Sequence, residues 1–171
     1  MKKYIVILAV AVAGLFSVNA SAQSKVAHIN SQVLVEAMPD AKTAQTKIQA
    51  FADTLDRDFK AMQDELQAQA KDLDAKAGNG TMSPNMIEIK QKQLQDMQRN
   101  IQAFQQSASQ QIEAKQAQLM KPVIDKAKKA IEDVAKEKGY TYVIDTYQGT
   151  LLVTPTGDDI LALVKTKLGI K

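Results

Sequence analysis

The chain has 171 residues, enough for one domain of ordinary size, with no Cys, no Trp and a single His. Aromatic residues make up only 5% of it, which argues against a large, densely packed core and for an elongated helical shape. The formal charge is +3, and neither charge nor motif supports nucleic-acid binding.

Residues 1–22 read as an export signal outside the fold. Lys2 and Lys3 form a basic start. Tyr4 to Val18 is an apolar run too short and too Ala-rich to span a membrane comfortably, and Ala20-Ser21-Ala22 is a small-residue cleavage site. Cleavage between Ala22 and Gln23 is expected. No Cys follows the run, so no lipid attachment is expected, and the pattern suggests a bacterial periplasmic protein. Without Lys2 and Lys3, 20 basic residues face 19 acidic ones, a mature net charge of +1.

Lys25 to Asn30 reads as a short strand. Asn30 or Ser31 can cap a short helix through Val33, Leu34, Ala37 and Met38, which Pro39 interrupts. Residues 40–138 then read as two long helices folded back on each other. The first arm, Ala41 to Ala77, carries Ala52, Phe59, Leu66 and Leu73 at one heptad position and Ile48, Leu55 and Met62 at the other. The return arm starts near Pro84 and continues the alternation through Leu94, Met97, Ile101, Phe104 and Ala108. A second spacing of four, from Ala108 to Ile112, reads as a stutter before Leu119, Val123, Ala127, Ile131 and Val134. At 1.5 Å per residue the arms are roughly 55 Å and 80 Å long, too long for the interior of a domain this size. The break at residues 78–84 holds Gly78 and Gly80 to end the first helix, and Ser83 to cap the second with Pro84 at its first position.

Between Gln91 and Gln111 the return arm has nine Gln and only three charges, Lys92, Asp96 and Arg99. Gln preserves the helix but forms few strong ion pairs. Lys138-Gly139 ends the arm. Tyr140 to Asp145 is a β-rich run, Tyr147-Gln148-Gly149 a turn, and Thr150 to Thr154 its expected paired strand. Asp158 is the expected cap of a last helix with Ile160, Leu161, Val164 and Leu168 on its apolar face.

Three short strands make a poor independent core and leave unpaired edges, so an oligomer is expected. The fold class is mainly α with a small β body. A long antiparallel coiled-coil hairpin (residues 40–138, tip at 78–84) projects from a short-stranded body (23–39 and 139–171) completed by oligomerisation. Catalysis has no support, because no nucleophile and base set can be built around the lone His28. No metal or cofactor site is expected.

The order of elements resembles the Skp (OmpH-like) periplasmic chaperones. The likeness rests on the strand ending at Asn30, the long hairpin, the Tyr142-Val143-Ile144-Asp145 strand and the Gly157-Asp158-Asp159-Ile160 start of the final helix. It implies a homotrimer with a central β-barrel and three hairpins as tentacles around a cavity. That cavity would hold unfolded outer-membrane β-barrel proteins without ATP. The best-known member is strongly basic at its tips, whereas residues 71–92 here hold four Lys against Asp72, Asp74 and Glu88. At most a weak membrane-surface contact is therefore expected.

A holdase needs broad, adaptable apolar contact, for which Met is well suited. Met82, Met86, Ile87 and Ile89 at the tip are the candidate client-binding residues. The plainer role for Met86 and Ile89 is to seal the hairpin end. Phe59, Leu66, Met97 and Phe104 are expected in the seam. Gly78, Gly80, Ala108 and Ile112 are the candidate hinges. The alternative function is a structural coiled-coil spacer or adaptor of the cell envelope, which should have a continuous, well-filled seam. This one decays at Gln69 and Lys76. A third class, an enzyme or ligand-binding domain, would need a pocket of convergent polar groups.

Overall fold

A computed structural model describes residues 24–147, 149 and 158–170 of the chain. The elements are β1 (Val26–Ile29), α1 (Ser31–Ala37), α2 (Pro39–Gly78), α3 (Pro84–Lys138), β2 (Tyr142–Asp145) and α4 (Leu161–Lys167). The expected strand at Thr150 to Thr154 and the signal with its Ala22-Gln23 cleavage site lie outside the described residues.

Local chemistry sets the helix boundaries. The Asn30 side chain accepts a hydrogen bond from the Val33 N–H at 3.1 Å and caps α1. Met38 is extended, and Pro39 opens α2, where its missing N–H costs nothing. The Ser83 hydroxyl accepts from the Met86 N–H at 3.4 Å, and Pro84 opens α3. Gly78 is the last helical residue of α2. Gly80, at φ +66°, takes the left-handed conformation in the connection, and Gly139, at φ +70°, takes it just past α3. Asp158 is not the cap of the last helix: the cap position is Ile160, without a side-chain cap bond, and the Asp159 carboxylate just before it accepts from the Leu161 N–H at 2.8 Å. Asp158 accepts from the Tyr140 hydroxyl at 3.3 Å.

The long hairpin follows the heptad reading. Along α2, Ile48, Leu55 and Leu73 are buried, and Ala52, Phe59, Met62 and Leu66 are half-buried. Along α3, Leu94, Met97, Ile101, Phe104, Ala108, Ile112 and Leu119 are half-buried, and Val123, Ala127 and Val134 are buried. Phe59 and Phe104 stack across the arms with centroids 6.5 Å apart. The helix runs through Ala108 and Ile112 without a break.

Among the described residues β2 pairs with β1, in parallel, with Val26 opposite Tyr142 and Ile29 opposite Asp145. Parallel neighbours need a crossover, and here the crossover is the whole helical hairpin. The chain still turns after β2, where the Gly149 N–H donates to the Thr146 carbonyl at 3.2 Å. On its other edge β1 meets the start of the last segment, through the Ile160 N–H and the His28 carbonyl at 3.1 Å.

The core sits where the sheet meets the base of the hairpin. Ala27, Ile29, Leu34, Met38, Ile160 and Val164 pack there against Val123, Ala127, Ala130 and Val134 of α3. Leu34, Ile160 and Val164 are fully buried, each contributing about 1.5–3 kcal/mol. Ion pairs brace this base, with Lys126 to Asp40 joining the arms at 2.6 Å and Lys167 to Glu137 joining α4 to α3.

Candidate interaction surfaces

The tip residues fall into two groups. Met82 and Ile87 are half-buried, whereas Met86 and Ile89 are 45% and 44% exposed. The half-buried pair meets the requirement for closing the hairpin end. Met86 and Ile89, one helical turn apart at the start of α3, stay open to a partner.

Below the tip the seam is incompletely covered. Met62 of α2 and Met97 and Ile101 of α3 line an apolar groove of about 310 Å³, bordered by Ala61, Glu65 and Asn100. Two of its three large side chains are Met, which suits partners of irregular shape. A second open groove, of about 660 Å³, lies on the flank of α3 near the base and includes Ala117, Met120 and Ile124. Ile124 is 40% exposed. The heptad reading missed this patch because it looks only for the seam. The signal was the spacing of three and four at Ala117, Met120 and Ile124.

The sheet has an uncovered face. Val26 and Tyr142 are register partners, as are His28 and Ile144. Val26, Tyr142 and Ile144 are all exposed, Tyr142 at 61%. Side chains alternate along a strand, so this face is opposite the one that Ala27 and Ile29 bury.

Charged and polar side chains tie the elements of the body to one another. Asp145 accepts from the Ser31 hydroxyl, from the Ser31 N–H at 3.1 Å and from the Tyr147 N–H at 3.0 Å. Partial burial pushes its pKa up, but these three donors outweigh burial and hold it below the ordinary value of 3.8. The Tyr140 pKa is raised by burial and by the Asp158 carboxylate. The Lys25 ammonium lies 4.2 Å from the centre of the Tyr140 ring and donates to the Lys138 carbonyl. The Lys167 pKa is raised chiefly by its bond to Glu137. Among the described residues no cluster of acidic or His side chains could hold a metal ion, and His28 is half-buried within β1. No helix among them is long and apolar enough to cross a membrane.

A paired sheet carrying a long two-helix crossover defines the architecture. Residues 25–168 match the family described as outer membrane protein (OmpH-like), and the chain belongs to that family. Its fold is similar to that of a Caulobacter crescentus CB15 protein provisionally described as an outer membrane chaperone (OmpH-like). The two align with a TM-score of 0.74 and 19% identity, covering 85% of this chain and 83% of the other. No curated protein matches the sequence.

Proposed function

We propose that the chain is an ATP-independent holdase chaperone of the periplasm that keeps unfolded outer-membrane proteins from aggregating. Membership of the OmpH-like family supports a chaperone role. The observation that carries the finer reading is the state of the hairpin. Its apolar seam is buried at the base, only half-buried at most positions along the arms, with Leu55 and Leu73 the buried exceptions, and followed at the tip by exposed Met86 and Ile89. A spacer would close that seam. A holdase uses open, adaptable apolar surface to shield a client briefly.

In this reading residues 1–22 are removed on export. Residues 23–39 and 139–171 form the oligomerising body, and residues 40–138 form the tentacle. The body is a homotrimer, supported by the uncovered face of Val26, Tyr142 and Ile144. Met82, Met86, Ile87 and Ile89 touch the client, and Gly78, Gly80 and the Ala108–Ile112 stretch let the arm adjust to its size. The protein uses no cofactor and performs no reaction.

The test is dilution of a urea-unfolded outer-membrane β-barrel protein into buffer containing the chain and no nucleotide, followed by light scattering. The expected result is suppression of scattering that saturates as the chain is increased. Aggregation at the uncatalysed rate, with the chain folded and oligomeric, would shift the assignment to an envelope spacer.

A further inference from the structure

The return arm carries a row of glutamines that the hairpin does not use. Gln91, Gln95, Gln98, Gln102 and Gln106 follow one another at intervals of four, three, four and four residues. At 3.6 residues per turn they share one flank of α3, roughly 22 Å long and about a third of a turn from the seam of Leu94, Met97, Ile101 and Phe104. All five are exposed. Among the described residues their carboxamides have no hydrogen-bond partner, whereas Gln32, Gln49, Gln69 and Gln111 each bond a side chain four residues away. Lys92, Asp96 and Arg99 lie on the back of the helix, and Arg99 is paired with Asp96. Between Gln91 and Gln106 the flank is therefore long, uncharged and rich in exposed donors and acceptors. Toward the base it passes Glu113 and Gln116 and reaches an open groove whose apolar residues, Ala117, Met120 and Ile124, are bordered by Lys121, Asp125 and Lys128.

We propose that this flank of α3 is a track for extended, unfolded polypeptide. The glutamine row reads the main chain, and the groove at Met120 and Ile124 receives aliphatic side chains. The inference rests on the chaperone reading and adds how a client is recognised. A carboxamide offers two N–H donors and a carbonyl acceptor without charge. An unfolded chain offers an N–H and a C=O at nearly every residue, whatever its sequence. Charged side chains would select clients by charge, whereas a neutral amide row does not. It also gives an anionic lipid surface nothing to hold.

The test uses the protein expressed from its full sequence and purified from the periplasm. One variant combines Gln95→Ala, Gln98→Ala and Gln102→Ala. Its control combines Gln63→Ala, Gln67→Ala and Gln110→Ala, exposed glutamines off the row. Ala preserves the helix in both. The probe is an uncharged Thr/Val-rich peptide labelled for fluorescence anisotropy, with a second version N-methylated at alternate backbone amides. The row variant should bind the first peptide about tenfold more weakly than the parent, the loss expected for a few solvent-exposed hydrogen bonds, and the control within about twofold. The N-methylated peptide should bind the parent more weakly and no longer distinguish it from the row variant. Equal affinity of parent and row variant for the first peptide overturns the proposal, as does an equal loss with both peptides. A changed oligomeric mass in the row variant overturns it in favour of contacts between copies. If the parent suppresses client aggregation but the row is irrelevant to binding, the track alone fails. If the parent does not suppress aggregation, the chaperone reading fails with it.

Discussion

Asp145 closes the body from the end of β2. Its carboxylate holds the Ser31 N–H and hydroxyl at the start of α1, 114 residues earlier in the chain, and also the Tyr147 N–H. These donors favour the ionised form, so its folded pKa lies below 3.8. The resulting stability is present above that value and is lost as pH falls through the lower, folded pKa. Asp145→Asn should therefore cost about 1 kcal/mol near neutral pH, a modest figure because the carboxylate is largely exposed. The difference should shrink as pH falls below 3.8 and through the lower, folded pKa. Urea unfolding followed by circular dichroism across pH checks this, and a pH-independent difference would contradict it. Leu34, with no exposed surface, tests the core directly. Leu34→Ala should lower the unfolding free energy by about 2–5 kcal/mol in the same assay. The sequence marked Leu34 as apolar and Asp145 as the end of a β-rich run. It could not show the Ser31 contact, which depends on two distant strands lying side by side.

The long helices were the most legible elements, because a seam at spacings of three and four exists only if a helix buries it. Each apolar position assigned from Ile48 to Val134 is buried or half-buried. The strands were legible as β-rich runs but not in their partnership, since alternation fixes a face and says nothing about which strand lies alongside. Within α3, Pro122 marks a change that the heptad reading passed over. It offers no N–H to the carbonyl four residues earlier, at Gln118. On the tip side Ile112 and Leu119 are half-buried, and on the base side Val123, Ala127 and Ala130 are buried. Pro122→Ala restores the donor and removes the ring's clash with the preceding turn. It should stabilise the folded chain by about 1–3 kcal/mol in urea titration. An unchanged or lower midpoint would mean that neighbouring side chains already compensate the break.

On the scale of the whole molecule, two apolar surfaces lie apart. The sheet face of Val26, Tyr142 and Ile144 sits at the base, and the Met-lined groove and the tip lie along the hairpin. The proposed function gives the first to other copies of the chain and the second to clients. Placing charges on the sheet face separates the two roles. A Tyr142→Asp and Ile144→Asp double variant should sediment as a monomer with its helical circular dichroism retained, because a buried unpaired charge is costly at an interface. Unchanged sedimentation would place the subunit contact elsewhere. Ile124 and the glutamine row are exposed, and the client surface proposed there was not legible in the heptad pattern. Residues off the seam follow no period that marks them as a site.

Enclosure of one unfolded client by an oligomer of these chains, as proposed, would fix the molar mass of the complex. The chain is mixed with a urea-unfolded outer-membrane β-barrel protein, and the soluble complex is measured by size-exclusion chromatography with light scattering. The expected mass is that of three chains plus one client. A folded oligomer eluting at its own mass, with the client lost to aggregates, would contradict it.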